Sequence, residues 1–267
     1  MTRSFRRVTV SLAVATILVL AAAGFVTAAP PDGATKGPPT MGKVVSIHYP
    51  RGFEARGGAP GAPDKPDKPA GNEKVWYKYS GIHWAVPDVD YVVNLTGSGD
   101  DGTFMGGVDA AFRQWDDVSA ISFTNIGTLT GVPSSFVGDG TMNGANEVGW
   151  VSISSAYPSA IAVTVTWYNR LTLEIHEVDL AFNADLPWAQ AVLAEGVDPD
   201  TVRGDLTAYD VQNIATHEAG HWLMLGDLYN RPTTALTMYG YGSKGELQKR
   251  SLESGDIAGA LAIYPEA

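Results

Sequence analysis

The stretch Thr207–Leu225 constrains this chain more than any other, because it joins a helical pattern to side chains that become useful only on a shared face. Thr207 and Asp210 have the spacing of a capping box, which predicts a helix from about Ala208. Val211, Ile214, Ala215 and Trp222 recur at helical spacing and give it a buried face, with Gly226 as stop signal. His217, Glu218 and His221 stand on that helix in the order H-E-x-x-H. Residues four apart lie on one face with Cβ atoms about 5–6 Å apart. Two imidazoles can therefore reach one zinc ion at about 2.0–2.1 Å each. Glu218, beside the first histidine, can take a proton from a zinc-bound water and return it to a leaving amine. A catalytic zinc also needs a third protein ligand and one open position.

Other classes are excluded by composition. The chain has no cysteine, so disulfides, thiolate metal sites and a cysteine nucleophile are impossible. Its formal net charge is -11 and it lacks basic clusters, so no nucleic-acid partner is expected. Arg3, Arg6 and Arg7 precede an uncharged apolar run, Val8–Ala23, and Val26-Thr27-Ala28 has the small-residue spacing of a signal-peptidase site. Residues 1–28 thus read as an export signal, with an uncleaved anchor as the alternative and no other membrane association. Residues 29–73 read as a Pro/Gly-rich propeptide or linker, interrupted by one strand-like patch, Val44–Ile47. The folded domain is expected from about Lys74 to the C-terminus.

Within that domain the pattern is α+β. Strands are expected at Tyr91–Leu95, Ile121–Ile126, Glu147–Ile153, Ile161–Tyr168 and Leu173–Asn183. Phe104, Val108, Ala111, Phe112, Trp115 and Val118 predict an amphipathic helix over Thr103–Val118, and Ile257, Ala260, Leu261 and Tyr264 a last helix over Leu252–Tyr264.

The zinc helix continues Trp222-Leu223-Met224-Leu225-Gly226-Asp227, which resembles the extended metzincin signature HExxHxxGxxH with Asp227 in the place of the third histidine, as in the snapalysin type. Thr237-Met238-Tyr239 follows where that group carries its Met-turn. The tail Gly255–Tyr264, the segment Asp179–Asn183 with Trp188, and Phe112, Trp115 and Ile121-Ser122-Phe123 resemble corresponding parts of matrixins. The likeness spans about Lys74–Pro265 and is strongest at the zinc helix.

A matrixin-like metzincin of prokaryotic type implies a twisted, mostly parallel five-stranded sheet with three main helices. It implies a secreted endopeptidase acting on peptides or proteins through a zinc-activated water. His217, His221 and Asp227 would hold Zn2+, Glu218 would be general base and acid, and Met238 would floor the site. Ile161, Val163, Val165 and Trp167 would lie on an edge strand that takes an extended peptide. One departure stands out: the signature's glycine is Met224 here. A left-handed backbone at Met224 costs about 1–2 kcal/mol; Gly226 is the other candidate for the turn.

Other readings stay open. Glu246 or Glu253 is the alternative third ligand, as in gluzincins. Tyr239 or Tyr241 can assist the metal or pack structurally. The loop Asp139–Glu147 is rich in oxygen ligands and can take Ca2+ or form Asx turns. His48, His83 and His176 stand isolated. A non-catalytic exported binding protein that keeps this fold is the alternative function.

Overall fold

The computed structural model of the protein describes residues 40–53 and 76–266. Residues 1–28, read above as an export signal, and most of the Pro/Gly-rich stretch lie outside the described residues. The strands are β1 (Met41–Pro50), β2 (Asp88–Asn94), β3 (Ser122–Thr128), β4 (Glu147–Val151), β5 (Ala162–Asn169), β6 (Ile175–Asn183), β7 (Trp188–Ala189), β8 (Tyr209–Asp210) and β9 (Tyr241–Gly242). The helices are α1 (Phe104–Asp116), α2 (Val211–Trp222) and α3 (Ser254–Ile263).

The main sheet runs β3-β2-β4-β6-β5-β1-β9, and β7 and β8 form a separate pair. β3, β2, β4 and β6 are mutually parallel, β5 is antiparallel to β6, and β1 is antiparallel to β5 but parallel to β9. The fold is thus α+β with a mostly parallel sheet and three helices. The five expected strands are all present, and the sheet has two more, β1 and β9.

Two expectations are corrected by β1. Met41–Pro50 was placed ahead of a domain starting near Lys74, yet it pairs with β5 along its length, from Met41↔Asn169 to His48↔Ala162. β5 itself is interior, so Ile161, Val163, Val165 and Trp167 do not lie on a free sheet edge. The physical reason is periodicity: Val44 packs on the main core, and Ile47 on the smaller cluster of Ile153, Ala160, Val163, Val165 and Ala181. Ten residues of this kind suffice for a strand despite the Pro/Gly-rich sequence around them.

The main core lies between the sheet and helices α1 and α2. Phe104, Phe112, Trp115, Ile121, Phe182, Ile214 and Trp222 are all buried there. The Phe112 and Trp222 rings meet edge to face at 4.8 Å. Trp115 Nε1 donates to the Thr216 carbonyl at 2.9 Å, fixing α1 along α2 by a buried polar bond.

α2 begins three residues later than the capping-box spacing predicts. The N-cap is Asp210, whose carboxylate accepts from Asn213 N–H. Thr207 instead bonds Asp205 through its hydroxyl. Arg250 grips the same Asp210 carboxylate through Nε at 2.7 Å and Nη2 at 2.5 Å, a buried two-point pair that holds the helix start.

Candidate metal and catalytic centre

The geometry of the centre follows from how α2 ends. Leu223 caps it, and Met224 has φ +65°, so the methionine and not Gly226 makes the left-handed turn. Met224 N–H donates to the His221 carbonyl and Leu225 N–H to the Gly220 carbonyl, both at 3.0 Å. This pair of bonds is a Schellman motif, with a methionine at the position that favours glycine. Gly226 serves another purpose: its N–H donates to the Lys78 carbonyl, and a Cβ there would sit 3.0 Å from the Lys78 side chain. Leu228 then pairs with the loop that carries Met238, donating to the Met238 carbonyl at 2.9 Å. Asp227 is held between these two anchors.

Asp227 Oδ1 lies 3.1 Å from His217 Nε2 and 3.5 Å from His221 Nε2. These close approaches lack hydrogen-bond geometry, and all three atoms are buried with no partner of their own. His217, His221 and Asp227 offer ligand atoms that all lie within 4.8 Å of one another. Buried polar atoms left unpaired are unfavourable in isolation. Three that converge from two imidazoles and a carboxylate are suited to one divalent metal ion.

The far side of each imidazole supports the same use. His217 Nδ1 lies 2.7 Å from the Thr237 carbonyl, and His221 Nδ1 lies 2.8 Å from the Leu225 carbonyl. A carbonyl only accepts, so each Nδ1 carries the proton and each Nε2 turns its lone pair inward. Burial, reinforced by Lys249, holds His217 down at about 4. Burial also opposes the charge on His221, but the Asp227 carboxylate wins and raises it to about 9. Asp227 stays well below its ordinary value against the effect of burial, chiefly because of His221.

Glu218 is buried and points toward β5. Its Oε2 accepts from the Thr164 hydroxyl at 2.6 Å, and its Oε1 faces His48 Nδ1 at 3.3 Å without a hydrogen bond. Burial raises Glu218 to about 7, opposed by His221 and by the Thr164 hydroxyl.

Met238 lies beneath the helix. A Cβ at Gly220 would overlap the Met238 sulfur and come within 2.8 Å of the Trp115 ring, so backbone and thioether are in direct contact. Lys249, almost fully buried, donates from Nζ to the carbonyls of Thr237 and Tyr239.

Several sequence expectations resolve here. Glu246 is paired to Arg51 at 2.6 Å and Glu253 caps α3, so neither joins the converging ligand atoms. Tyr239 and Tyr241 pack in an aromatic cluster with Tyr49. His48 is not isolated but lies against Glu218 and His217. Tyr229 was passed over by the sequence reading; burial and the neighbouring Asp227 hold its phenol above the ordinary value. Thr164 carries no local sequence signal: its role depends on the face of β5 that meets α2, where its hydroxyl reaches Glu218. A cavity of about 220 Å³ opens beside the ligands, between β1 and the chain from Met224 to Tyr229.

Among the described residues, no converging group of metal ligands lies in the Asp139–Glu147 loop. The nearby buried carboxylates are already engaged by backbone N–H groups. Glu147 accepts from Ser134, Glu177 from Asn143 and Gly144, and Asp179 from Ser135 and Glu147.

No model of a known protein family matches the chain, and no curated protein matches it either. No helix among the described residues is long and apolar enough to cross a membrane.

Proposed function

We propose that the chain is an exported zinc endopeptidase of the matrixin-like metzincin class, with His217, His221 and Asp227 as metal ligands and Glu218 as general base and acid. The observation that carries this reading is the convergence of three buried, unpartnered donor atoms within 4.8 Å, with Glu218 beside His217, the first of them. The donor set fits zinc: two inward lone pairs from Nε2 atoms and one carboxylate, with room for an open position.

A bound zinc ion would supply Lewis acidity, polarising the scissile carbonyl and making water a better nucleophile. The chain's own residues do the rest. Thr237 and Leu225 carbonyls orient the two imidazoles. The Thr164 hydroxyl holds one oxygen of Glu218, leaving the other to take the proton of the attacking water. Glu218 can accept that proton and return it to the leaving amine nitrogen.

The test is a paired measurement on purified protein. Metal analysis should find about one zinc per chain. Glu218→Gln should keep that zinc while casein hydrolysis falls at least ~100-fold. Full hydrolysis by the glutamine variant would overturn the mechanism; absence of bound zinc would overturn the metal assignment.

A further inference from the structure

His48 is a buried polar side chain that the mechanism above leaves unused. It stands on β1, a strand of the main sheet paired with β5 along its length, so the fold fixes its place. Its ring is fully buried, and neither ring nitrogen has a hydrogen-bond partner. Glu218 Oε1, also buried and unpartnered, lies 3.3 Å from His48 Nδ1. Two such groups shut away from water would gain most from a straight hydrogen bond, and they do not form one.

Their separation suits a shared cation instead. Two ligands about 2.0–2.1 Å from one zinc ion, at a tetrahedral angle, stand about 3.3–3.4 Å apart. Asp227 Oδ1 keeps a similar spacing from His217 Nε2 and His221 Nε2, at 3.1 and 3.5 Å. His48 does not complete that first site. Among the described residues, the ligand atoms that converge within 4.8 Å form two groups, His217-His221-Asp227 and His48-His217-Glu218. His217 occurs in both, but its Nδ1 faces the Thr237 carbonyl, and the single lone pair of Nε2 serves one ion at a time.

We propose that His48 and Glu218 form a second metal site, distinct from the first, for a zinc-like divalent cation whose remaining coordination is water. One imidazole and one carboxylate suit zinc, whereas calcium and magnesium take oxygen ligands. With two protein ligands in place of three, this site fills after the first. Its consequence rests on the peptidase reading: Thr164 holds Glu218 Oε2, and an ion on Oε1 takes the oxygen left for the proton of the attacking water. Metal in excess of one ion per chain therefore stops hydrolysis.

The experiment uses the full chain stripped of metal and titrated with zinc alone, with bound zinc counted by equilibrium dialysis and casein hydrolysis followed in parallel. Wild type should take up about two zinc ions per chain in two steps. Hydrolysis should appear with the first and fall at least ~100-fold as the second fills. His48→Ala and Glu218→Gln should each keep the first step and lose the second, and excess zinc should no longer inhibit His48→Ala. Either variant suffices if the other does not fold. A second step that survives intact in a folded variant places that ion elsewhere and overturns the inference. A single zinc in wild type, lost in Asp227→Ala but kept in His48→Ala, overturns the second site and leaves the peptidase reading standing. No zinc in wild type, or a single zinc lost in His48→Ala but kept in Asp227→Ala, overturns the metal assignment of that reading and the inference with it.

Discussion

The Asp256 carboxylate on α3 accepts the backbone N–H groups of Thr237 at 2.9 Å and Met238 at 3.1 Å, tying the last helix to the loop beneath His217 and His221. It also accepts from Glu253 N–H at 3.0 Å, closing the capping box of its own helix. One buried side chain thus fixes both the floor of the site and the start of α3. Thr237 is in turn the carbonyl that orients His217. Asp256→Ala leaves three amides unpaired, each worth about 1–3 kcal/mol when buried. We expect an overall loss of about 3–5 kcal/mol in urea unfolding. Loss of an outer-shell partner should also weaken zinc about 10–100-fold. Asp256→Asn, which keeps an acceptor, should lose much less; equal effects of the two variants would refute the hydrogen-bond account.

Gly220 is one of the two x positions of the motif, which no chemistry requires, yet its surroundings leave no room for a side chain. A methyl group there meets the Met238 thioether and the Trp115 ring. Alanine is otherwise the better helix former by about 1 kcal/mol. Overpacking a core opposes this by about 1–3 kcal/mol. Because Trp115 is also bonded to the Thr216 carbonyl, it cannot easily swing away. Gly220→Ala should therefore destabilise, by about 1–2 kcal/mol in denaturant unfolding. A stabilised variant would show that Met238 does not press on the helix.

What could be read from sequence, and what could not, follows from the range of the interactions. His217, Glu218 and His221 were legible because local helical spacing alone places them together. Asp227 was legible from the pattern, but its convergence depends on the turn at Met224 and on anchors to Lys78 and Met238, which lie far away in the chain. His48 was illegible. It lies on a strand whose neighbours, β5 and β9, are over a hundred residues away, and nothing near it in sequence signals a partner. The same applies to Thr164, whose role appears only when the face of β5 that meets α2 is known. The sheet order hid the edge in the same way: the strand pattern of β5 is identical whether β1 covers it or not.

Met224 offers a direct measure of the turn that ends α2. Its φ of +65° is unfavourable for a side chain by about 1–2 kcal/mol, but the side chain is buried at 8% exposure. Glycine would relieve the backbone while removing apolar contacts worth about 1.5–3 kcal/mol. The two effects nearly cancel, so Met224→Gly should change stability by no more than about 2 kcal/mol. Leu223, one residue earlier, is fully buried with an ordinary right-handed backbone. Leu223→Gly has no strain to relieve and should cost about 3–5 kcal/mol. Equal losses at the two positions in urea unfolding would mean that the left-handed turn carries no strain.

The carboxylates behind the sheet predict how stability changes with pH. Burial raises Asp179 to about 7, against the hydrogen bonds from Ser135 and with help from the neighbouring Glu177 and Glu147 charges. Glu177 is raised as well, mainly by burial. A carboxyl whose folded pKa exceeds its unfolded value binds its proton more tightly in the folded chain. By linkage the unfolded state then carries fewer protons, and the free energy of unfolding falls as pH rises. For Asp179 the favourable contribution is complete below about 3.8, its ordinary value, and is lost as pH climbs through about 7. The thermal midpoint of the metal-free chain should accordingly decline between pH 4.5 and 7.5, roughly the window those two values bracket. Asp179→Asn removes one of these titrations while keeping one acceptor for the surrounding amides, so it should reduce the decline and leave the slope due to Glu177, Asp116 and Glu218, which burial also raises. An asparagine variant that retains the full wild-type slope would show that the proton is held elsewhere.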